Sequence, residues 1–199
     1  MSETIPIRSP LVGVPRLGGS AALTVAEQPG STLLHLEGAR HGTELGAVLS
    51  TLGLADIPAI GASGGRDGAS LLGIGPSIWL LVMEPGTALP STLTAGGAIG
   101  SAFTVALDAS HAYTRIAIAG PKASELLAKG CAIDLHPRRF LPGGCAVAAL
   151  AGMRCTIWRV AHEAFEILIG RSYAVSLWEW LRDVTAEYDA HPDRAERDG

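Results

Sequence analysis

The sequence predicts an α+β fold, mainly antiparallel sheet with helices packed on it and two similar halves. Three observations predict it. Short runs rich in branched apolar residues often follow one another directly, separated only by glycine and proline turns, instead of alternating strictly with helices as a parallel sheet requires. The composition of the 199 residues, 48% hydrophobic and 17% charged with 25 Gly and 12 Pro, describes many short elements joined by tight turns. A strand ending in Leu34-His35-Leu36-Glu37-Gly38 and then a helix is echoed by Ile116-Ala117-Ile118-Ala119-Gly120 and then a helix.

The elements follow in order. Residues 1–30 carry Pro6, Pro10, Pro15 and Pro29, which block regular helix and permit at most short edge strands, so an extended N-terminal arm is expected there. A single domain over 31–188 follows, and then a charged tail, 189–199. Thr32 to Glu37 is a strand, and Leu45, Val48, Leu49 and Leu52 form the apolar stripe of a helix over 44–52. Asp56 to Gly68 is rich in Gly, Ser and Ala and is expected to be a loop. Ser70–Ile74 and Ile78–Val82 are strands around the turn Gly75-Pro76-Ser77. Thr87 to Gly97 is expected to be a weak helix opened near Pro90 and ended by Gly96-Gly97.

Ala102–Asp108 and Thr114–Ala119 are two further strands. Pro121 at the opening and Gly130 past the end frame a short helix that buries Leu126 and Leu127. A polar, proline-bearing loop occupies 131–144. Three strands follow, Cys145–Leu150, Cys155–Val160 and Phe165–Ile169, the last two joined by Ala161-His162-Glu163. Ser172 to Tyr188 is a long amphipathic helix with Ser172 as N-cap and Val175, Leu177, Trp178, Leu181 and Val184 for burial.

Charge and cysteine usage narrow the function classes. The net charge is −4 with no basic stripe, which speaks against nucleic acid as a partner. No uninterrupted apolar run reaches the roughly 20 residues needed to cross a bilayer. The start shows no positively charged leader followed by an apolar run, and Cys131, Cys145 and Cys155 are an odd number without CxxC spacing. A cytoplasmic protein is expected. Little charge is available to cover the surface, which points to apolar surface covered by another protein.

No Ser/His/Asp or paired-carboxylate arrangement is legible, so no catalytic residue is named. Cys131 and Cys145 with His136 between them lack the closely paired ligands of a zinc site and read as small buried thiols, with His136-Pro137 fixing a turn. Gly61, Gly64, Gly65 and Gly68 resemble a phosphate cradle only superficially, because no Lys-Ser/Thr follows them. Asp134, Arg138 and Arg139 form a charge constellation on a proline-stiffened loop, where an arginine fork suits a partner's carboxylate. Trp178 and Trp180, two apart on a helix, face different directions, so one belongs to the core and the other is a candidate interface anchor. Asp134, His136, Arg138, Arg139, Trp178 and Trp180 are therefore the candidate partner-interface residues.

The run from Leu127 to Phe140, Leu-Ala-Lys-Gly-Cys-Ala-Ile-Asp-Leu-His-Pro-Arg-Arg-Phe, followed by Pro142-Gly143-Gly144-Cys145, resembles the signature segment of sarcosine oxidase gamma subunits. Leu72-Gly73-Ile74-Gly75-Pro76-Ser77-Ile78-Trp79-Leu80-Leu81-Val82 is similar to the same family's Gly-Pro turn and Trp-Leu strand. Arg171-Ser172-Tyr173 with Leu177-Trp178-Glu179-Trp180-Leu181 resembles its closing helix. The resemblance covers about residues 31–185. It implies a fold like the folate-binding domain of aminomethyltransferases, used as a structural subunit of a heterotetramer beside alpha, beta and delta subunits. The implied chemistry of that assembly is oxidative demethylation of sarcosine to glycine, with the one-carbon unit passed to tetrahydrofolate. FAD, FMN, NAD, tetrahydrofolate and zinc are expected in the partner subunits and no cofactor in this chain. Where many family members carry acidic residues after the Gly-Pro, this chain has Ser77 and Ile78, which removes any salt bridge made there. The same subunit type also serves related N-methyl amino acid dehydrogenases, and a stand-alone folate-binding protein is the other alternative.

Overall fold

A computed structural model describes residues 9–20, 22–38, 46, 49, 50, 54, 56–66, 68–87, 97, 98 and 104–189. Its twelve described strands are β1 (Leu17–Ser20), β2 (Leu23–Glu27), β3 (Thr32–Gly38), β4 (Ser63–Arg66), β5 (Ala69–Gly75), β6 (Ile78–Met83), β7 (Gly97–Ala98), β8 (Thr104–Asp108), β9 (Tyr113–Ala119), β10 (Cys145–Leu150), β11 (Met153–Ala161) and β12 (Ala164–Gly170). Two helices are fully described, α1 (Ala123–Ala128) and α2 (Ala174–Asp189). The strands form two six-stranded sheets, ordered β1-β2-β9-β12-β11-β10 and β4-β5-β6-β3-β8-β7. Every pairing is antiparallel.

The two halves echo each other in detail. β9 leads through α1 into the meander β10–β11–β12, which returns β12 to the side of β9. β3 leads through a region where Gly46, Leu49 and Ser50 are helical into β4–β5–β6, which returns β6 to the side of β3. The antiparallel pair preceding each half is exchanged. β2 joins the other half at β9, with Thr24 opposite Ala119, and β8 joins β3, with Leu34 opposite Asp108. Separating the halves would therefore break main-chain ladders and not only side-chain contacts.

Within the expected N-terminal arm, β1 is a short edge strand of the kind the prolines permit, whereas β2 lies inside the sheet between β1 and β9. The prolines leave that stretch free, and Gly18 sits where the backbone needs a glycine: it has φ of 67° and no room for a Cβ, which would meet the Leu23 carbonyl oxygen at 2.5 Å. The expected loop over 56–68 also holds a strand, β4, paired with β5 from Ser63–Leu72 to Arg66–Ala69. Its glycines are tolerated because it is an edge strand supported by a partner. The helices expected over 44–52 and 87–97 fall mostly outside the described residues, although Gly97 itself is in β7.

Three apolar layers hold the molecule together. One lies between the first sheet and the helices and contains Ile116, Ile118, Leu126, Leu127, Phe165, Ile167, Leu177 and Leu181. A second lies behind the other sheet, around Trp79, Leu81 and Met83 with Leu49 and Leu54. The third lies between the sheets, where Leu33, Leu72, Leu80 and Val82 meet Cys145, Trp158 and Leu168. Consecutive residues of β6 alternate between the second and third layers, and that explains why Trp79-Leu80-Leu81-Val82-Met83 is a continuous apolar run: both its faces are covered. Each such leucine contributes about 1.5–3 kcal/mol relative to exposure.

α2 is entered through a single 3-10 turn, Arg171–Tyr173, which contains Ser172, so Ser172 does not act as the expected N-cap. Ala174 and Thr185 join Leu177, Trp178, Leu181 and Val184 in burial, whereas Val175 is 48% exposed because it lies off that stripe. Among the described residues no helix is long and apolar enough to cross a membrane.

Candidate subunit interface

The loop over 131–144 is built by short-range bonds. The Asp134 carboxylate accepts the His136 N–H at 3.0 Å, and His136 Nδ1 accepts the Arg138 N–H at 3.2 Å. The His136 carbonyl accepts the N–H groups of Arg139 and Phe140 at 2.8 and 2.9 Å, closing a turn around Pro137. Asp134 and His136 thus spend polar atoms on shaping the turn. Arg138 and Arg139 are exposed, and their side chains make no ion pair or hydrogen bond with the described residues.

Beneath the loop lies Arg159 of β11, 1% exposed, a residue that sequence reading passed over. Its guanidinium donates to the carbonyls of Leu135 at 3.3 Å, Phe140 at 2.7 Å and Ala161 at 3.3 Å, and also to that of His162. The charge stacks on the Phe165 ring, 5.0 Å from its centroid. Burial holds its pKa below the usual guanidinium value. Its own N–H and carbonyl pair with Gly144 and Gly143 at 2.8 and 2.7 Å. The signal in the sequence was alternation: Arg159 continues the face of Cys155 and Ile157, an apolar face on which a charge is out of place.

The far side of the loop is fixed to the second sheet. The Ser63 N–H and hydroxyl both donate to the Gly143 carbonyl, at 2.6 and 2.8 Å, and the Trp158 indole donates to the Ser63 hydroxyl at 2.9 Å. The Cys145 N–H reaches the Gly61 carbonyl at 3.0 Å. Gly61 and its neighbours thus serve strand packing. Cys145 and Cys155 are free, buried thiols whose pKa values burial pushes up to about 11 and about 12, leaving them protonated and weakly nucleophilic at neutral pH. Among the described residues no group of three His, Cys, Asp or Glu side chains is arranged to hold a metal ion.

The tryptophans of α2 occupy different surroundings. Trp178 is 5% exposed and packs in the helix-side core, its indole Nε1 without a hydrogen-bond partner among the described residues. Trp180 is half-buried over Gly130, where an added Cβ would meet the indole ring at 2.6 Å. That contact joins the signature segment to the closing helix and explains the glycine.

A second buried arginine, also unread in the sequence, lies between the sheets. Arg115 of β9 donates to both carboxylate oxygens of Glu166 on β12, at 2.5 and 2.6 Å, and to Glu84 at 2.6 Å and Ser31 at 2.8 Å. Ser31 and Glu84 flank β3 and β6, so this cluster ties one sheet to the other. Burial alone would lower the guanidinium pKa, but its hydrogen bonds to the Glu166 and Glu84 carboxylates, with their negative charge, together outweigh it and raise the value. Elsewhere the sheets splay into a cleft of about 480 Å³ with an apolar floor of Ile74, Ile78, Val147 and Leu168 and with His35 and Arg154 on its wall.

Comparison with known proteins supplies the context. The model of the sarcosine oxidase, gamma subunit family matches residues 38–187. The sarcosine oxidase subunit gamma of Corynebacterium sp. (strain U-96) is 31% identical over 175 residues, 87% of this chain and 84% of that protein. A chain of the heterotetrameric sarcosine oxidase from Corynebacterium sp. U-96, solved in complex with pyrrole 2-carboxylate, superposes with a TM-score of 0.79 at 30% identity, covering 89% of this chain and 91% of that one. The glycine cleavage system aminomethyltransferase T from Bartonella henselae superposes with a TM-score of 0.53 at 22% identity over 79% of this chain and 44% of that one, a likeness of fold alone.

Proposed function

Because this chain belongs to the sarcosine oxidase gamma subunit family, we propose that it is the gamma subunit of a heterotetrameric sarcosine oxidase and has no catalytic centre of its own. It packs against alpha, beta and delta subunits in the cytoplasm. The assembly oxidatively demethylates sarcosine to glycine and passes the one-carbon unit to tetrahydrofolate, with FAD, FMN, NAD, tetrahydrofolate and zinc carried by the partners. The observation that carries this reading is a likeness running over nearly the whole of both chains. The chemistry of the buried groups supports it. Arg115 and Arg159 are consumed by structural hydrogen bonds, and two of the three thiols are held protonated.

Co-expression with the three companion chains tests the reading. The complex should assemble and oxidise sarcosine, and leaving this chain out should abolish assembly. Purified chain that carried flavin or oxidised sarcosine unaided would refute the non-catalytic role.

The inter-sheet cleft favours a second reading, in which this chain itself takes folate. Its Arg154 and His35 suit an anion and its apolar floor suits a flat ring. Saturable binding of tetrahydrofolate to the isolated chain, weakened by Arg154→Ala, is the expected result of that reading, and a flat titration removes it.

A further inference from the structure

A groove of about 360 Å³ runs between residues 61–63 on one side and 139–144 on the other. One large apolar side chain in its lining stands exposed, Leu141 at 60%, and Ile60, 62% exposed, immediately precedes the lining residue Gly61 in the chain. Single exposed apolar residues are ordinary on any protein surface, whereas one set in the wall of a groove beside unpaired charge is a candidate contact surface. Arg139 lines the groove, with Arg138 next to it in the chain, and among the described residues no carboxylate lines it. In a chain of net charge −4, two adjacent exposed arginines without an acidic partner among the described residues are a local excess of positive charge.

The walls do not move independently. Gly143 and Gly144 are bonded to β11 through Arg159, and Ser63 is bonded to Gly143, so the groove is preformed on both sides. A preformed surface loses little conformational freedom when a partner docks.

We propose that this groove seats a segment of a larger partner subunit that carries a carboxylate beside an apolar side chain. The carboxylate is received by the guanidinium groups of Arg138 and Arg139, which can pair with it in bidentate fashion. The apolar side chain packs on Leu141 and removes it from water. Asp134 and His136 act as positioning residues, because their bonds shape the turn that presents the arginines. The proposal rests on the gamma-subunit reading, which could hold with a different contact surface.

The test uses the complete complex, purified through a tag on a large subunit after co-expression with this chain or its variants. The double variant Arg138→Glu, Arg139→Glu and the single variant Leu141→Asp should each lower recovery of this chain about tenfold, and raised salt should release the native chain progressively. Val12→Asp, at an exposed apolar residue outside the groove, should be recovered like the native chain. The isolated variants should keep the native melting temperature, which excludes misfolding as the cause. Native recovery of both groove variants, or an equal loss in the Val12 variant, overturns the groove while leaving the gamma-subunit reading intact. Failure of the tagged large subunit to recover the native chain overturns both.

Discussion

The two buried arginines sit on opposite faces of the same sheet and do different work. Arg115 lies between the sheets against a buried carboxylate, Glu166, and a half-exposed one, Glu84. Arg159 lies on the opposite face of the first sheet, with no carboxylate partner among the described residues, and donates its hydrogen bonds to main-chain carbonyls while stacking on the Phe165 ring. A guanidinium that meets a carboxylate can hold two layers together, since each member would be costly to leave buried alone. One that meets several carbonyls can instead fix the course of an irregular segment, since it satisfies acceptors that a loop cannot pair by itself. The first arrangement supports the whole molecule, and the second supports the surface offered to a partner.

Substitution should separate these roles. Arg115→Met strands Glu166 in the inter-sheet layer and should cost about 3–5 kcal/mol, seen as a lower urea midpoint for a single cooperative unfolding transition. Arg159→Met leaves the Leu135 and Phe140 carbonyls unpaired but also removes a buried charge, so a smaller loss of about 1–3 kcal/mol is expected. Its signature is local: amide exchange should accelerate over 135–144 while the β9 and β12 amides stay protected. Equal losses spread over the whole chain in both variants would break the distinction.

The thiols give the smallest effect and probe the same two layers, Cys145 between the sheets and Cys155 on the helix side. Both folded thiols titrate above the unfolded value of 9.0, at about 11 and about 12. Above pH 9 the unfolded chain therefore loses protons first. The stability these thiols contribute is complete below that pH and declines as pH rises through the folded values, by roughly 1 kcal/mol per thiol for the first unit. Cys145→Ala and Cys155→Ala should each flatten the alkaline decline, read from urea midpoints between pH 8.5 and about 10. At pH 8 iodoacetamide should label the half-buried Cys131 first and reach the other two only on unfolding. Rapid labelling of Cys145 would mean that the inter-sheet layer opens readily.

Much of this architecture was legible in the sequence. The strands over 32–37, 70–74, 78–82 and 165–169 and the helix between Pro121 and Gly130 follow from apolar runs and their punctuation, which neighbouring residues impose. The signature segment was legible too, and its Asp134 and His136 do shape a turn. The glycine-rich strand β4 was not, because Ser63-Gly64-Gly65-Arg66 has no strand propensity and is ordered by its ladder with β5. The pairing of β1 with β2 was hidden in the same way. The part of the candidate site that was missed, Arg159, was visible only as a charge on an apolar face, with no indication of the carbonyls waiting for it.

By itself the sequence determined the alternation of strands, turns and helices, the doubling of the design and the family to which the chain is similar, because these depend on residues close together along the chain. Only the tertiary structure decided that the leading pairs β1–β2 and β7–β8 are exchanged between the sheets, that Arg115 joins the layers and that Arg159 supports the loop. Each of those depends on partners far apart in the chain, such as Arg115 with Glu166 or Ser63 with Gly143. A buried charge or an edge strand is stable only where such partners converge, and convergence is a property of the packed chain.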